Sequence, residues 1–293
     1  PQPRISRVHS DKVASPPEPV SAPHNPISEP QPTTDPQLQL ASTSVLSPPP
    51  IENPLWTGWD VVALVFITFF AIVVCVFATA YFVHLRFSPA TPWIDSLKRP
   101  EVVVGGQLLA YVFILVLMYK LLRSQSDGKV LDAIRWNWPV SWTSYLLAGV
   151  VLEFCLLPFA YLLPMPKNVP IDEFFRTARD AYILSLFGIL FAPLFEELLF
   201  RGFLYPVLAR RFGMAPSIVL TALAFASIHA SQLKYSWGPV LVIFMVGLAL
   251  TTVRALKKSV AATVLMHMAY NATIFIVTYI ATDRFRHMER FNQ

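Results

Sequence analysis

The feature that most constrains this chain is Val61–Val83, 23 residues without one charged side chain. At about 1.5 Å per residue, a helix of that length crosses a hydrocarbon core of about 30 Å. A segment in lipid must satisfy its own backbone hydrogen bonds, so the run predicts a membrane-spanning helix rather than a strand or loop. Trp56 and Trp59 stand just before it, where interfacial aromatic residues belong. Six more apolar runs follow: Val102–Tyr119, Ser144–Leu163, Ala181–Phe195, Ala215–Ile228, Trp237–Val253 and Ser259–Ala281. The pattern predicts an all-α polytopic membrane protein with seven candidate spans. Ala181–Phe195 and Ala215–Ile228 are short for simple spans, and each can continue into the polar residues after it.

This succession starts only at residue 56. Of the chain's 26 prolines, 14 lie in residues 1–55, and the first glycine is Gly58. Residues 1–55 contain no Phe, Tyr or Trp. A segment of that kind cannot bury enough surface to offset its ordering entropy, so it reads as a disordered Pro-rich tail. Pro48, Pro49 and Pro50 read either as spacer or as a short polyproline II ligand. The whole chain is 55% hydrophobic and 14% charged. With the tail set aside, residues 56–293 are roughly 62% apolar, and they form the expected membrane-embedded domain.

The net charge of +5 divides into −2 on the tail and +7 on the body. The basic residues fall in small groups between apolar runs, as in membrane loops. Nucleic acid would call for a basic face with exposed aromatics, and ATP for a Gly-rich phosphate loop; neither pattern is present. Loops on the N-terminal side carry nine basic residues and the other side ten, so the positive-inside rule leaves the orientation open. Cys75 and Cys155 lie inside apolar runs, which argues against a disulfide framework. The chain begins at Pro1 rather than Met.

Ionisable groups inside apolar helices are costly, so each is a functional candidate by default. Glu196 and Glu197 are adjacent at the end of a hydrophobic helix, and Arg201 lies four residues after Glu197, the spacing of a helical salt bridge. Glu196 points about 100° away from Glu197 and is free for another task. Alone, this string reads equally as a helix leaving the membrane. His229 closes the apolar helix that starts near Ala215, and reads alone as an interfacial histidine. His267 and Asn271 share one face of the last span, and read alone as interhelical hydrogen bonding. Glu153 lies mid-helix and reads as a protonated carboxyl held by a neighbouring helix, with its partner unknown. Gln107, beside Gly105 and Gly106, reads as part of a close helix contact.

Depth connects the first three features. If the fourth helix continues to Arg210, Glu196 lies about 21 Å from that end. His229 lies about 21 Å from Ala215, and His267 about 12 Å from Ser259, both measured from the same membrane side. One carboxylate and two imidazoles are therefore expected to converge in an intramembrane cleft open to water. Such groups suit general acid–base catalysis.

E-E-x-x-x-R-G, then F-x-x-x-H, then H-x-x-x-N, on successive hydrophobic helices, resembles the CAAX-protease and bacteriocin-processing family, also called CPBP or Abi, which includes Rce1-type prenyl-protein endopeptidases. The resemblance covers about 181–281. It implies an intramembrane endopeptidase, usually of eight membrane helices; the eighth would be Ile171–Asp180 or Leu198–Arg211. It also implies roles: Glu196 activates water with help from His229, His267 and Asn271 stabilise the oxyanion, and Glu197 with Arg201 holds the geometry. The expected partners are a membrane-associated or lipidated peptide substrate and the bilayer, with no nucleic acid or nucleotide. The expected location is the membrane, multi-pass (the cell membrane for a bacterial source). No cofactor is expected. The nearest alternative is a zinc protease with Glu196, His229 and His267 as ligands, although no H-E-x-x-H motif is present. A transporter would call for repeat symmetry, of which none is seen. A non-proteolytic immunity or scaffold protein is the remaining alternative.

Overall fold

The computed structural model describes residues 52–164, 166 and 174–287. The tail expectation for residues 1–51 lies outside the described residues. Among the described residues seven principal helices follow one another: α1 Gly58–Phe87, α2 Pro100–Gln125, α3 Trp142–Tyr161, α4 Ala178–Phe212, α5 Met214–His229, α6 Trp237–Lys257 and α7 Val260–Ala281. No strand is present among the described residues. All of them except α5 are long and apolar enough to cross a membrane. The chain is a multi-pass membrane protein, and each predicted run lies on one of these helices.

Local chemistry sets the boundaries. Thr57 and Asp60 form a capping box at the start of α1, each side chain accepting from the other's backbone N–H. Thr177 and Asp180 repeat that arrangement at α4. Ser259 caps α7 by accepting from the Ala262 N–H at 3.1 Å. Pro100 opens α2, where a missing N–H costs nothing.

α4 runs 35 residues without a break in helicity. Two π-helical segments, Phe187–Phe191 and Leu198–Leu204, interrupt its α-helical pitch on either side of Ala192–Glu197. Of the two stretches expected to supply an eighth helix, Leu198–Arg211 is instead the second half of α4. Residues 171–173 of the other stretch, Ile171–Asp180, lie outside the described residues, and Ala178–Asp180 opens α4.

The helices pack closely where small residues allow it. A Cβ on Gly149 of α3 would stand 2.2 Å from the Met266 carbonyl oxygen of α7, and one on Gly106 of α2 would stand 2.5 Å from the Val76 Cα of α1. Only glycine permits those approaches. On the outside, Phe66, Phe69 and Phe70 of α1 are 71%, 70% and 68% exposed, an apolar face suited to lipid.

One boundary differs from expectation. Glu52–Leu55, read from composition as the end of the tail, adjoin the body at specific points. Glu52 is buried and accepts from Arg135 and Arg254, both at 2.9 Å. Arg210 donates to the Pro54 carbonyl at 3.1 Å. Trp56 is fully buried, packs its ring tilted against Phe203 with centroids 4.7 Å apart, and donates its indole N–H to the Phe203 carbonyl at 2.9 Å. These partners lie 83 to 202 residues away in sequence, so local composition carried no trace of them.

Candidate active site

The site is built around the centre of α4. Adjacent helical residues point about 100° apart, so Glu196 and Glu197 cannot both face one way. Glu197 is fully buried, whereas the Glu196 side chain keeps 16% of its exposure and lines a cavity.

Glu197 receives Arg201 at 2.8 Å, the spacing expected from sequence. Both side chains are fully buried. An ion pair taken out of water holds only if its remaining hydrogen-bonding groups are also met. α6 meets those of the arginine: Arg201 Nε donates to Thr251 Oγ1 at 3.1 Å and Nη2 to the Gly247 carbonyl at 3.0 Å. The guanidinium also lies 4.6 Å from the centroid of the Phe225 ring. Behind it, Arg254 Nε donates to the Arg201 carbonyl at 3.1 Å while Arg254 Nη1 donates to Glu52.

The two histidines arrive from α5 and α7. At about 1.5 Å per residue, the 16 residues of α5 reach only about 24 Å, so His229 at its end stops short of a full crossing. His229 Nδ1 lies 2.9 Å from the Phe225 carbonyl, one turn back. His267 Nδ1 lies 2.9 Å from Glu197 Oε1. Carbonyl and carboxylate oxygens only accept, so these partners assign the hydrogen to Nδ1 in both rings. The Nε2 atoms are then turned to Glu196: His229 Nε2 is 3.9 Å from Oε1, and His267 Nε2 is 3.9 Å from Oε2.

These groups line a cavity of about 460 Å³ between α2, α4, α5, α6 and α7, a size typical of small-ligand sites. Its walls are largely apolar, with Phe187, Phe225, Ile243 and Val246 among them. Asn271 lines it too and donates Nδ2 to the Gly188 carbonyl at 2.7 Å, in the first π-helical segment. Glu196, His229, His267 and Asn271 are thus brought together at one cavity, and Glu197 and Arg201 lie buried behind it.

Residues 178–273 match the family model described as Rce1-like, type II CAAX prenyl endopeptidase Rce1-like. That segment is similar to the Rce1-like family. The family named from the motifs is the family that matches. No curated protein and no solved structure matches the chain. The Rce1-like segment contains all six motif residues and runs from the start of α4 to the middle of α7. The family it resembles is a protease family, and the segment lies in a multi-pass membrane protein.

Some contributors lie outside the Rce1-like segment. Gln107, read as part of a close helix contact, lines the cavity and donates Nε2 to the Tyr111 hydroxyl at 2.9 Å; the close contact belongs to Gly106. Tyr111 also lines the cavity and carries no sequence signal beyond being an aromatic in an apolar helix. Glu153 interacts with the Tyr270 side chain across α3 and α7, which supplies the partner its sequence context lacked. Among the described residues, no three His, Cys, Asp or Glu side chains are grouped as a metal site.

Proposed function

We propose that the chain is an intramembrane endopeptidase that hydrolyses peptide bonds of lipidated, CAAX-type prenyl peptides or related membrane-anchored peptides. The observation that carries this reading is the approach of two imidazole Nε2 atoms to the two oxygens of Glu196, at 3.9 Å each, inside an apolar cavity. Those separations exceed a direct hydrogen bond and suit a shared water.

In the proposed reaction Glu196 takes a proton from that water and His229 Nε2 orients it. The hydroxide attacks the scissile carbonyl carbon, and negative charge moves to the carbonyl oxygen. The free Asn271 N–H meets that charge, as does His267 in the form that carries a hydrogen on Nε2. Glu196 then returns the proton to the leaving amine. Arg201 holds Glu197 in place, so that His267 keeps its orientation. The apolar walls suit a lipid-bearing substrate, and no step is routed through a metal.

The test is cleavage of a synthetic peptide with a prenylated cysteine fourth from its carboxyl end, by the full chain in lipid vesicles. Glu196→Gln is expected to abolish cleavage, and cleavage at the parent rate overturns the mechanism. Activity is expected to survive exhaustive chelation. Loss on chelation with recovery on added zinc would favour Glu196, His229 and His267 as ligands instead.

A further inference from the structure

The four motif residues at the cavity offer few hydrogen-bond donors. Glu196 accepts only. His229 and His267 place their Nδ1 hydrogens on the Phe225 carbonyl and Glu197, so in the neutral form their Nε2 atoms also only accept. Asn271 has placed one of its two amide hydrogens on the Gly188 carbonyl. Amide hydrolysis needs preorganised donors where the carbonyl oxygen becomes negative, and this motif set holds one spare neutral donor.

Tyr111 of α2 can supply another. Its ring lies flat on Phe195, with centroids 3.9 Å apart and planes 4° from parallel, and stacks on Phe187 at 5.9 Å. The residue is 7% exposed, so the ring is held in one place. Gln107 Nε2 donates to the Tyr111 oxygen at 2.9 Å, one turn away on the same helix. That bond occupies an acceptor position of the phenol and leaves its own O–H free to donate. Phe195 directly precedes Glu196, and the stacked Tyr111 lines the same cavity as Glu196.

We propose that Tyr111 is a further catalytic residue, whose hydroxyl donates a hydrogen bond to the oxygen of the scissile carbonyl, with Gln107 as its positioning residue. No proton leaves the tyrosine; the bond shortens as charge develops on the oxygen and lengthens as the tetrahedral intermediate collapses. Both residues lie outside 178–273, so the oxyanion site is shared between the Rce1-like segment and α2. This inference rests on the hydrolytic reading above.

The experiment compares Tyr111→Phe, Gln107→Leu and Glu196→Gln with the parent, all as full chain in vesicles with the prenylated peptide. Phe keeps the stack on Phe195, so Tyr111→Phe is expected to unfold at the parent temperature. Its kcat is expected to fall about 100-fold with KM within about twofold, the usual loss for one oxyanion donor. The pH at half-maximal kcat is expected to stay where it is. Gln107→Leu is expected to lower kcat about tenfold, as for a positioning hydrogen bond. Parent kcat in Tyr111→Phe overturns the proposal. A displaced pH midpoint with an unchanged plateau also overturns it, because the hydroxyl then serves Glu196 rather than substrate. Parent activity in Glu196→Gln overturns the hydrolytic reading itself, an outcome separate from either of these.

Discussion

Glu197 and His267, 70 residues apart in sequence, meet at 2.9 Å in the buried centre of the helix bundle. The same imidazole lies 3.9 Å from Glu196 through its other nitrogen. One ring therefore links two neighbouring glutamates in different environments, one paired with Arg201 and sealed, the other at the cavity.

That asymmetry predicts different failures for the two carboxylates. Glu197→Gln leaves Arg201 buried without its counter-charge, which costs about 3–5 kcal/mol. The expected result is a clearly lower unfolding temperature in detergent together with lost cleavage. A variant as stable as the parent would show that the pair is dispensable to the fold.

Glu196→Gln, in contrast, leaves the ion pair intact. It is expected to unfold at the parent temperature while cleavage falls at least about 100-fold, the lower range for removing a general base. Circular dichroism melts and peptide cleavage on the same preparation separate the two cases.

Glu52 is expected to matter for cleavage although it precedes the first membrane helix. Glu52→Ala leaves the fully buried Arg254 without its carboxylate, an uncompensated charge worth about 3–5 kcal/mol. Because Arg254 also holds the Arg201 carbonyl, activity should drop with stability. Unchanged melting and unchanged cleavage together would reject this.

Gly149→Ala tests the helix packing behind the site. Its Cβ would stand 2.2 Å from the carbonyl of Met266, the residue before His267, so α3 and α7 must separate. Overpacking of this kind costs about 1–3 kcal/mol. The expected outcome is a lower melting temperature with partial loss of cleavage, read on the purified variant.

The sequence made the spans and the convergence legible for one physical reason: polar residues stand out against an apolar background. Counting helical rise from the loop ends was enough to place Glu196, His229 and His267 inside the bilayer below one membrane surface. It was not enough for groups whose meaning depends on a neighbouring helix. Glu153 declared itself as unusual, but Tyr270 could not be named as its partner from one strand of text. Tyr111 gave no signal, because an aromatic in an apolar helix is ordinary until its hydroxyl and ring partners are known. The π-helical segments of α4 leave no compositional mark either. Glu52 was assigned to the wrong material, since its charge is answered by arginines on distant elements.

The Glu52 clamp changes where this enzyme-like unit should be considered to begin. A truncation drawn at the first hydrophobic helix would seem harmless on hydropathy grounds, yet it would remove a carboxylate that answers two arginines and an indole that holds the Phe203 carbonyl. The smallest portion that keeps these contacts starts before the membrane does. Any expression strategy, fusion junction or protease site placed between residues 52 and 57 would act on the centre of α4 from a distance.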